Sequence, residues 1–427
     1  MKIEELYLYF LETTGVTTDT RKIEANNFFI ALKGDTFNGN EFAEKALELG
    51  AKYALIDESK FKKNDQYILV DNCLETLQKL ANYHRQQLPC TIIGLTGSNG
   101  KTTTKELIYA VLSQKYKTQA TFGNLNNHIG VPLTLLSFRK DTEMGIVEMG
   151  ANHQKEIEFL CQIAQPDFGY ITNFGKAHLE GFGGVEGVIK GKSELYDYLT
   201  SSNHIAFINN DDPLQVEKTK YIETISFGLH AKNNFVTIDS IEANPMVKIK
   251  CNNTIIQSHL IGLYNANNIN VAITIGSYFN IPIEIIKQAI ENYIPTNNRS
   301  QLLQKETNTI ILDAYNANPS SMQAALTNFF QLEEENKIAI LGDMFELGEE
   351  SFEEHKKIVE LCKQQDTITF YFVGKEFVTQ QIEQFNLHFF NSFEDFQLKF
   401  GIEKITHSFV LIKGSRGMRL ERALDCM

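Results

Sequence analysis

The stretch GLTGSNGKTTTKEL, residues 94–107, combines a glycine-rich turn with a Lys-Thr pair. It follows an apolar run and precedes a segment with helical patterning, which is the context that a phosphate-binding loop requires. In such a loop, backbone N–H groups and the helix N-terminus bind the phosphates. We expect Lys101 to reach the β- and γ-phosphates and the Thr102 hydroxyl to bind Mg²⁺. The alternative is a glycine-rich turn that contains Lys-Thr by chance.

This loop departs from the common pattern G-x-x-x-x-G-K-[ST], which would place a glycine at position 95. Leu95 stands there instead, and the glycines fall at positions 94, 97 and 100. The loop residues that we predict to bind ATP are Gly97, Ser98, Asn99, Gly100, Lys101, Thr102 and Thr103.

Two polar residues after later apolar runs are candidates to complete a magnesium site. Glu148 ends the run GIVE, and His178 lies in the glycine-rich loop that follows GYIT. Carboxylate oxygens are ligands that Mg²⁺ prefers. Taken alone, Glu148 is equally compatible with a partly exposed strand end and His178 with a surface loop.

Lys192 lies on the apolar stripe of a helix that we predict over VEGVIKGKSELYDYL, residues 185–199. It follows Val185 by seven residues and shares its face, whereas Lys190 points roughly the opposite way. Burial lowers the pKa of a lysine because it disfavours the charged form. A neutral amine can react with CO₂ to form an anionic carbamate. The alternative is a lysine whose ammonium group extends past the stripe to water.

Several motifs together resemble the Mur ligases and their folylpolyglutamate synthase relatives, which use ATP to make amide bonds. TGSNGKTTT resembles their phosphate loop and KSELY their K-[AG]-E-[IL]-[FY] segment, and the resemblance covers nearly the whole chain. It implies that Lys192 is carbamylated and helps to position metal and γ-phosphate. The residues that it implies as metal ligands are Thr102, Glu148, His178 and Lys192.

Further nucleotide contacts follow from the same resemblance. LYNANNINVAI is similar to the family's H-N-x-x-N-x-x-A segment, in which Asn265 matches the adenine-contacting asparagine and Asn268 the second asparagine. Tyr264 replaces the frequent histidine, and we assign it no role. Asn265 could also serve as a helix N-cap.

Arg299 and Asp313 are the nucleotide contacts that the resemblance implies in the last third of the chain. Arg299 matches the family's G-R pair, with Asn298 in place of the glycine, and would reach the γ-phosphate. Asp313 ends the run TIILD and corresponds to a ribose-contacting aspartate. The residues implied in catalysis are Lys101, Lys192, His178 and Arg299.

One branch of the family fits best, the branch that joins D-alanyl-D-alanine to UDP-N-acetylmuramoyl-tripeptide. Its marks are the motifs TDTRK, FFIALKGDTFNGNEF, GNLNNHIGVPLTLL, DAYNANPSSM, LGDMFELGEES and KGSRGMRLE. The D-N-P-R motif of the diaminopimelate-adding branch does not occur in the sequence. The third residue of the accepted tripeptide stays open.

Four residues are implied on the substrate side. Arg21 and Lys33 would anchor the UDP group, although both could be ordinary surface charges, and Asn126 and Asn127 would line the substrate channel. Asn38 and Asn40 stand where the family often has Asp and His, so we expect the uridine contacts to differ in detail.

Apolar runs alternate with helical patterns along the chain, which is typical of α/β proteins with parallel sheets. We predict a UDP-substrate-binding α/β domain over 1–88, a central P-loop parallel-sheet ATPase domain over 89–296 and a Rossmann-like ligase domain over 297–427. The first domain should end in a helix over 71–87 with Asp71 as N-cap, and residues 235–261 should be rich in strands.

Composition excludes several classes of protein. The net charge of −13 argues against a nucleic-acid-binding surface. No apolar run reaches 18 residues and the first 14 residues lack a secretory pattern, so we expect neither membrane insertion nor export. Six cysteines without a C-x-x-C pair indicate reduced thiols. We therefore expect a cytoplasmic monomer.

The reaction that the resemblance implies passes through an acyl phosphate. The terminal carboxylate of the tripeptide would attack the γ-phosphorus of ATP, and the amine of D-alanyl-D-alanine would then displace phosphate. Two alternatives stay open. One is another amide ligase such as a folylpolyglutamate synthase, and the other is a binding or scaffold protein that hydrolyses ATP slowly.

Overall fold

The computed structural model describes residues 1–230, 233–296, 298–400 and 404–427. Three main sheets follow one another along the chain, and helices cover them. The predicted α/β class, with a central parallel sheet behind the phosphate loop and a Rossmann-like C-terminal part, is confirmed. The domain boundaries at 88/89 and 296/297 stay predictions, and the second of them adjoins Asn297, which is outside the described residues.

The first sheet contains four parallel strands, and a two-stranded hairpin lies beside it. In chain order the strands are β1 (Val16–Thr17), β2 (Phe28–Ile30), β3 (Lys33–Gly34), β4 (Phe37–Asn38), β5 (Tyr53–Ile56) and β6 (Tyr67–Leu69). The sheet order is β1-β2-β5-β6, and β3 pairs with β4. The helices are α1 (Ile3–Leu11), α2 (Ala43–Glu48) and α3 (Cys73–Gln87).

Helix α3 corrects one detail of the sequence analysis. Its N-cap is Asn72, whose side chain accepts a hydrogen bond from the Glu75 amide, and not Asp71. A cap must directly precede the first helical residue so that its oxygen reaches the free amides of the first turn. Asp71 lies one residue too far from the helix.

The second sheet has nine strands and carries the phosphate loop. They are β7 (Thr91–Thr96), β8 (Thr118–Ala120), β9 (Met144–Glu148), β10 (Phe168–Ile171), β11 (Ile205–Asn209), β12 (Glu223–Gly228), β13 (Val236–Ala243), β14 (Met246–Cys251) and β15 (Thr254–Ile261). In the order β8-β9-β7-β10-β11-β12-β13 neighbouring strands are parallel, and β14 and β15 extend the sheet antiparallel. The strand-rich segment predicted over 235–261 is confirmed.

Helices cover both faces of this sheet. They are α4 (Lys101–Leu112), α5 (Gly130–Ser137), α6 (Glu156–Ala164), α7 (Leu179–Phe182), α8 (Val185–Ser201), α9 (Pro213–Lys218), α10 (Ala266–Tyr278) and α11 (Ile283–Glu291). Helices α4 and α10 share one core through Leu107 and Ile269, while α6 and α8 share another through Leu160 and Leu195. Both faces are therefore apolar, and ligands can approach only at the strand ends.

The third sheet has five parallel strands and one antiparallel edge strand. Its strands are β16 (Gln301–Lys305), β17 (Asn308–Asp313), β18 (Lys337–Gly342), β19 (Thr369–Val373), β20 (Leu387–Phe390) and β21 (Phe409–Lys413), and its helices are α12 (Pro319–Gln331), α13 (Ser351–Lys363), α14 (Lys375–Val378) and α15 (Phe393–Phe400). The order β16-β17-β21-β18-β19-β20 places Asp313 directly opposite Lys413 at the carboxyl ends of β17 and β21.

Two further observations bear on the expectations from composition. Among the described residues, no helix is both long and apolar enough to span a bilayer. All six cysteines are buried, and none forms a disulfide.

Candidate active site

A cavity of about 720 Å³ lies between the carboxyl ends of the second and third sheets. Both sheets contribute to its walls, in keeping with the rule that ligands of parallel α/β sheets bind at these ends. The sequence-predicted site residues that line it are Ser98, Asn99, Gly100, Lys101, Thr102, Thr103, Asn126, Asn127, Glu148, His178, Asn265, Asn268, Arg299 and Asp313.

The turn of the phosphate loop requires glycine at two positions. Gly97 and Gly100 have φ of +139° and +81°, values that side chains disfavour. A Cβ on Gly97 would lie 2.0 Å from the Thr172 hydroxyl, and one on Gly100 would lie 2.7 Å from the Asn268 side chain. Leu95, by contrast, is a core residue of β7. Position 95, where the common pattern has glycine, therefore lies in strand β7, before the turn begins.

Lys101, the first residue of α4, folds back over the loop. Its ammonium group donates hydrogen bonds to the Gly97 carbonyl at 2.6 Å and the Ser98 carbonyl at 3.2 Å. The pKa of Lys101 is lowered to about 8: desolvation is the main cause, the charge of Glu148 opposes it, and the charge of Arg299 adds to it. A poorly solvated cation at the N-terminus of α4 is a favourable place for a phosphate.

Glu148 and Thr102 meet at the wall of the cavity. The Thr102 hydroxyl donates to the Glu148 carboxylate at 3.0 Å, and the Asn126 amide donates to its other oxygen at 2.8 Å. Glu148 is only 1% exposed. A hydroxyl and a carboxylate next to a phosphate loop are hard oxygen donors of the kind that Mg²⁺ binds together with substrate phosphates. These two residues fit a magnesium ion.

His178 is held away from this pair by the third sheet. It has a left-handed backbone with φ of +53°, and its Nδ1 hydrogen-bonds to the Glu346 carboxylate. No cluster of three or more His, Cys, Asp or Glu side chains within the described ranges could hold a metal ion. Of the four predicted ligands, Thr102 and Glu148 hydrogen-bond to each other, and His178 lines the same cavity.

Lys192 lies inside the protein behind the cavity wall. It is 1% exposed, and its ammonium donates to the Ala151 carbonyl at 3.1 Å, next to the Phe182 ring. Desolvation holds the pKa of Lys192 well below its usual value, and the charge of Lys101 adds to the effect. Lys190 is exposed, so the helical periodicity predicted from the sequence is confirmed. The Lys192 side chain does not extend to water.

The two predicted adenine-side asparagines belong to a buried hydrogen-bond chain. The Asn268 side chain accepts from the Thr104 hydroxyl at 2.9 Å and donates to Asn265 at 2.8 Å, and Asn265 donates to the Ile261 carbonyl. Asn265 occupies the N-cap position of α10 without a side-chain capping bond. The chain connects helices α4 and α10, so it fixes both asparagines relative to the phosphate loop.

Arg299 and Asp313 reach the cavity from the third sheet. Asn298, which stands where the family has glycine, has φ of +52°, and asparagine is the residue that best tolerates this region after glycine. The Asp313 carboxylate accepts from the Ser300 amide at 3.1 Å and from the Lys413 ammonium at 2.5 Å. The substitution at position 298 therefore preserves the turn that presents Arg299.

Apart from Asn99, sequence reasoning missed the residues that connect the second and third sheets. Asn99 accepts a hydrogen bond from the Asn318 side chain at 2.7 Å. The Asn173 side chain accepts a hydrogen bond from the Asn99 amide and donates one to the Asn99 carbonyl. The Lys176 ammonium pairs with Glu354 at 2.7 Å. Asn173 lies two residues after the end of β10, a signal that could have been used. The partner of Lys176 lies 178 residues away and left no local signal.

The predicted UDP anchors lie beside the first sheet, Arg21 in a turn after β1 and Lys33 on the β3–β4 hairpin, and neither lines this cavity. Arg21 is exposed and pairs with Asp19 at 2.8 Å. Lys33 pairs with Asp57 at 2.9 Å and with Glu58 at 3.1 Å. Asn38 donates to the Glu58 carboxylate and Asn40 donates to the Asp57 carboxylate. The two asparagines that depart from the family thus build one polar cluster with Lys33.

Comparison with known proteins matches the chain in three consecutive segments. Three family models match: the catalytic domain of the Mur ligase family over residues 12–85, the Mur ligase middle domain over 95–276, and the Mur ligase glutamate ligase domain over 298–416. A curated relative, UDP-N-acetylmuramoyl-tripeptide–D-alanyl-D-alanine ligase of Bacillus subtilis (strain 168), is 35% identical over 419 residues, covering 95% of this chain and 91% of the relative.

Two solved structures are similar over nearly the whole chain. MurF from Acinetobacter baumannii has a TM-score of 0.87 at 28% identity, covering 99% of this chain and 97% of that protein. MurF ligase from Thermotoga maritima in complex with ADP has a TM-score of 0.83 at 28% identity, covering 98% and 97%.

Proposed function

The chain belongs to the Mur ligase family, and on that premise we propose that it joins D-alanyl-D-alanine to UDP-N-acetylmuramoyl-tripeptide. The reaction consumes ATP, releases ADP and phosphate, and forms the UDP-muramoyl-pentapeptide precursor of peptidoglycan. One observation carries the proposal: Lys101 of the phosphate loop and Arg299 and Asp313 of the third sheet line a single cavity. One bound nucleotide can therefore contact both sheets.

The reaction has two steps that these side chains can support. The tripeptide carboxylate attacks the γ-phosphorus and ADP leaves, which gives an acyl phosphate. The amine of D-alanyl-D-alanine then attacks the acyl carbon, loses a proton, and phosphate leaves. Lys101 and Arg299 stabilise the negative charge that develops on the phosphoryl oxygens. Because the cavity lies between two sheets, closing them excludes the water that would hydrolyse the acyl phosphate.

Thr102 and Glu148 would hold a magnesium ion, since their oxygens lie together beside the phosphate loop. When bound, the ion would neutralise charge on the phosphate oxygens. The Asn126 amide, which bonds to Glu148, keeps this carboxylate oriented. Asn127 lines the same wall and is positioned to contact the peptide.

Lys192 is suited to carry a carbamate. Its amine would react with CO₂ and release one proton, which requires the neutral form that burial favours. Its burial and its lowered pKa favour the neutral form. We include His178 with Lys192 as a candidate for a second metal-binding position, on the resemblance alone.

The remaining assignments follow from the family. We propose that residues 1–88 bind the UDP group through Arg21 and Lys33, that 89–296 bind ATP, and that 297–427 form the ligase domain. We also propose that the protein acts in the cytoplasm, where ATP and UDP-sugar substrates are available and the six buried cysteines stay reduced.

Isotope transfer tests the proposal directly. With ¹⁸O in the terminal carboxylate of UDP-N-acetylmuramoyl-tripeptide, one label should appear in inorganic phosphate, as measured by mass spectrometry. Phosphate without label would overturn the acyl-phosphate step. Sustained ADP release over many turnovers should require both the tripeptide and D-alanyl-D-alanine. Turnover with a folate acceptor would favour a folylpolyglutamate synthase, and turnover without any amine would favour a slow ATPase.

A further inference from the structure

Arg299 is carried by a strained segment, residues 298–300. Both flanking residues have a left-handed backbone, with φ of +52° at Asn298 and +49° at Ser300. L-residues disfavour this region, so such a conformation persists only where the surroundings impose it. Two hydrogen bonds do so here. The Tyr315 amide donates to the Asn298 carbonyl at 3.2 Å, and the Ser300 amide donates to Asp313 at 3.1 Å.

The side chain of Tyr315 makes a third connection to this segment. The guanidinium carbon Cζ of Arg299 lies 3.7 Å from the centroid of the Tyr315 ring. At that distance the guanidinium stacks on the aromatic face, an arrangement that fixes its plane and leaves its N–H groups free to bind an anion.

Arg299 has no carboxylate partner to compete with such an anion. Within the part of the chain that the structure describes, no ion pair involves Arg299, and its buried Nε has no hydrogen-bond acceptor. Arg299 also lines the cavity, so an anion bound there can reach its guanidinium without displacing a carboxylate. Arg416 places a second guanidinium carbon 5.4 Å from the same ring, and this guanidinium lies 3.9 Å from the Glu421 carboxylate.

We infer that Tyr315 is a positioning residue for the ligase reaction: its ring holds the Arg299 guanidinium toward the phosphates at Lys101. The inference rests on the proposed function, because it takes the nucleotide phosphates as the anion. Tyr315 also lines the cavity. If it acts through Arg299 and not by its own contact with the nucleotide, its removal should have no effect once Arg299 is gone.

A double-mutant cycle tests this dependence. The proteins are the wild type, Tyr315→Leu, Arg299→Met and the double variant, with Tyr315→Gln as a second ring-free variant and Tyr315→Phe to retain the ring. Steady-state ligation gives kcat and KM for ATP, and calorimetry gives the Kd of a non-hydrolysable ATP analogue. Thermal unfolding checks that each variant folds, with the exposed Tyr221 changed to Leu as a control for loss of a tyrosine elsewhere.

Tyr315→Leu should lower kcat/KM for ATP roughly five- to thirty-fold, the range for a desolvated cation–π contact, and Tyr315→Phe should stay within about two-fold of wild type. In the Arg299→Met background, Tyr315→Leu should add less than about two-fold. Losses that multiply, or an unaffected Tyr315→Leu, would overturn the inference. If the wild type ligates nothing, the proposed function fails, but the cycle can still be read in the Kd of the ATP analogue.

Discussion

The Lys192 ammonium lies 4.9 Å from the centroid of the Phe182 ring, at a position closed to solvent. The ring of a residue in α7 thus covers a lysine of α8, and the only hydrogen bond described for the ammonium goes to the Ala151 carbonyl. A charged amine there would be poorly compensated. Ala151 lines the cavity, so this residue alone lies between the Lys192 amine that it contacts and the proposed reaction site.

Lys192→Ala should abolish most ligase activity, because it removes the only group at this position that can become an anionic carbamate. Added short carboxylates such as acetate should restore part of the activity by occupying the space. The exposed Lys190 on the same helix is the matched control, and Lys190→Ala should keep near-normal turnover. Phosphate release measures both. A fully active Lys192→Ala would refute the carbamate role.

Lys413→Met should weaken nucleotide binding by releasing Asp313. Lys413 is 1% exposed and donates to Asp313 at 2.5 Å, so its removal leaves a carboxylate without its cation and should cost up to about 3 kcal/mol of stability. If Asp313 contacts the ribose, the preference for ADP over 2′-deoxy-ADP should shrink as well. Calorimetric Kd values for both ligands measure this. Exposed Lys220→Met is the control, and an unchanged preference would contradict the prediction.

Asn298→Ala should destabilise the protein by about 1 kcal/mol, whereas Asn298→Gly should be tolerated, because the residue has φ of +52°. Asn298→Ala should also lower kcat/KM for ATP, since the turn presents Arg299. Asn280, with φ of +56°, provides a control away from the cavity. Asn280→Ala should show a similar loss in urea unfolding without loss of activity. Equal activity losses at the two positions would argue against a specific role of the 298 turn.

Lys176→Met should lower kcat/KM by about two- to five-fold, because Lys176, in the loop after β10, pairs with Glu354 of α13 and the lysine is partly exposed. Lys357 pairs with the same carboxylate at 2.7 Å from within α13. Lys357→Met therefore removes a partner of Glu354 without affecting the connection between the sheets, and it should leave the rate nearly unchanged. Similar losses in both variants would mean that the pair between Lys176 and Glu354 has no special role.

His84 should make stability depend on pH below about 6.5. Its Nε2 donates to the Phe138 carbonyl and its Nδ1 accepts from the Tyr7 hydroxyl, both at 3.0 Å. Burial lowers the pKa of His84 in the folded state. The unfolded chain therefore binds a proton first as pH falls, and stability decreases by at most about 1.4 kcal/mol per pH unit.

The advantage of the wild type over His84→Gln in urea unfolding should accordingly shrink between pH 7.5 and 5.5. Exposed His230→Gln is the control, and its unfolding midpoint should follow the wild type at every pH. Parallel pH profiles for wild type and His84→Gln would show that His84 does not titrate in this range.

Much of the candidate site could be predicted because its signals are local. The phosphate loop is a strand, a turn and a helix within 14 residues, and its glycines mark backbone conformations that no side chain allows. Helical periodicity placed Lys192 on the apolar stripe of α8, and the resemblance of KSELY to the family segment decided in favour of a buried, functional lysine. The error at Asp71 has the same local origin: two adjacent residues can both cap a helix, and the sequence does not state which one directly precedes it.

The sequence by itself determined the fold class, the phosphate loop and the types of residue at the strand ends, because backbone geometry and apolar periodicity act over a few residues. Tertiary structure decided which of these residues meet. It paired Thr102 with Glu148 and placed His178 against Glu346 instead, and it stacked Arg299 on Tyr315. Such contacts depend on how two sheets pack against each other, and packing is set by the summed burial of many side chains that no local pattern encodes.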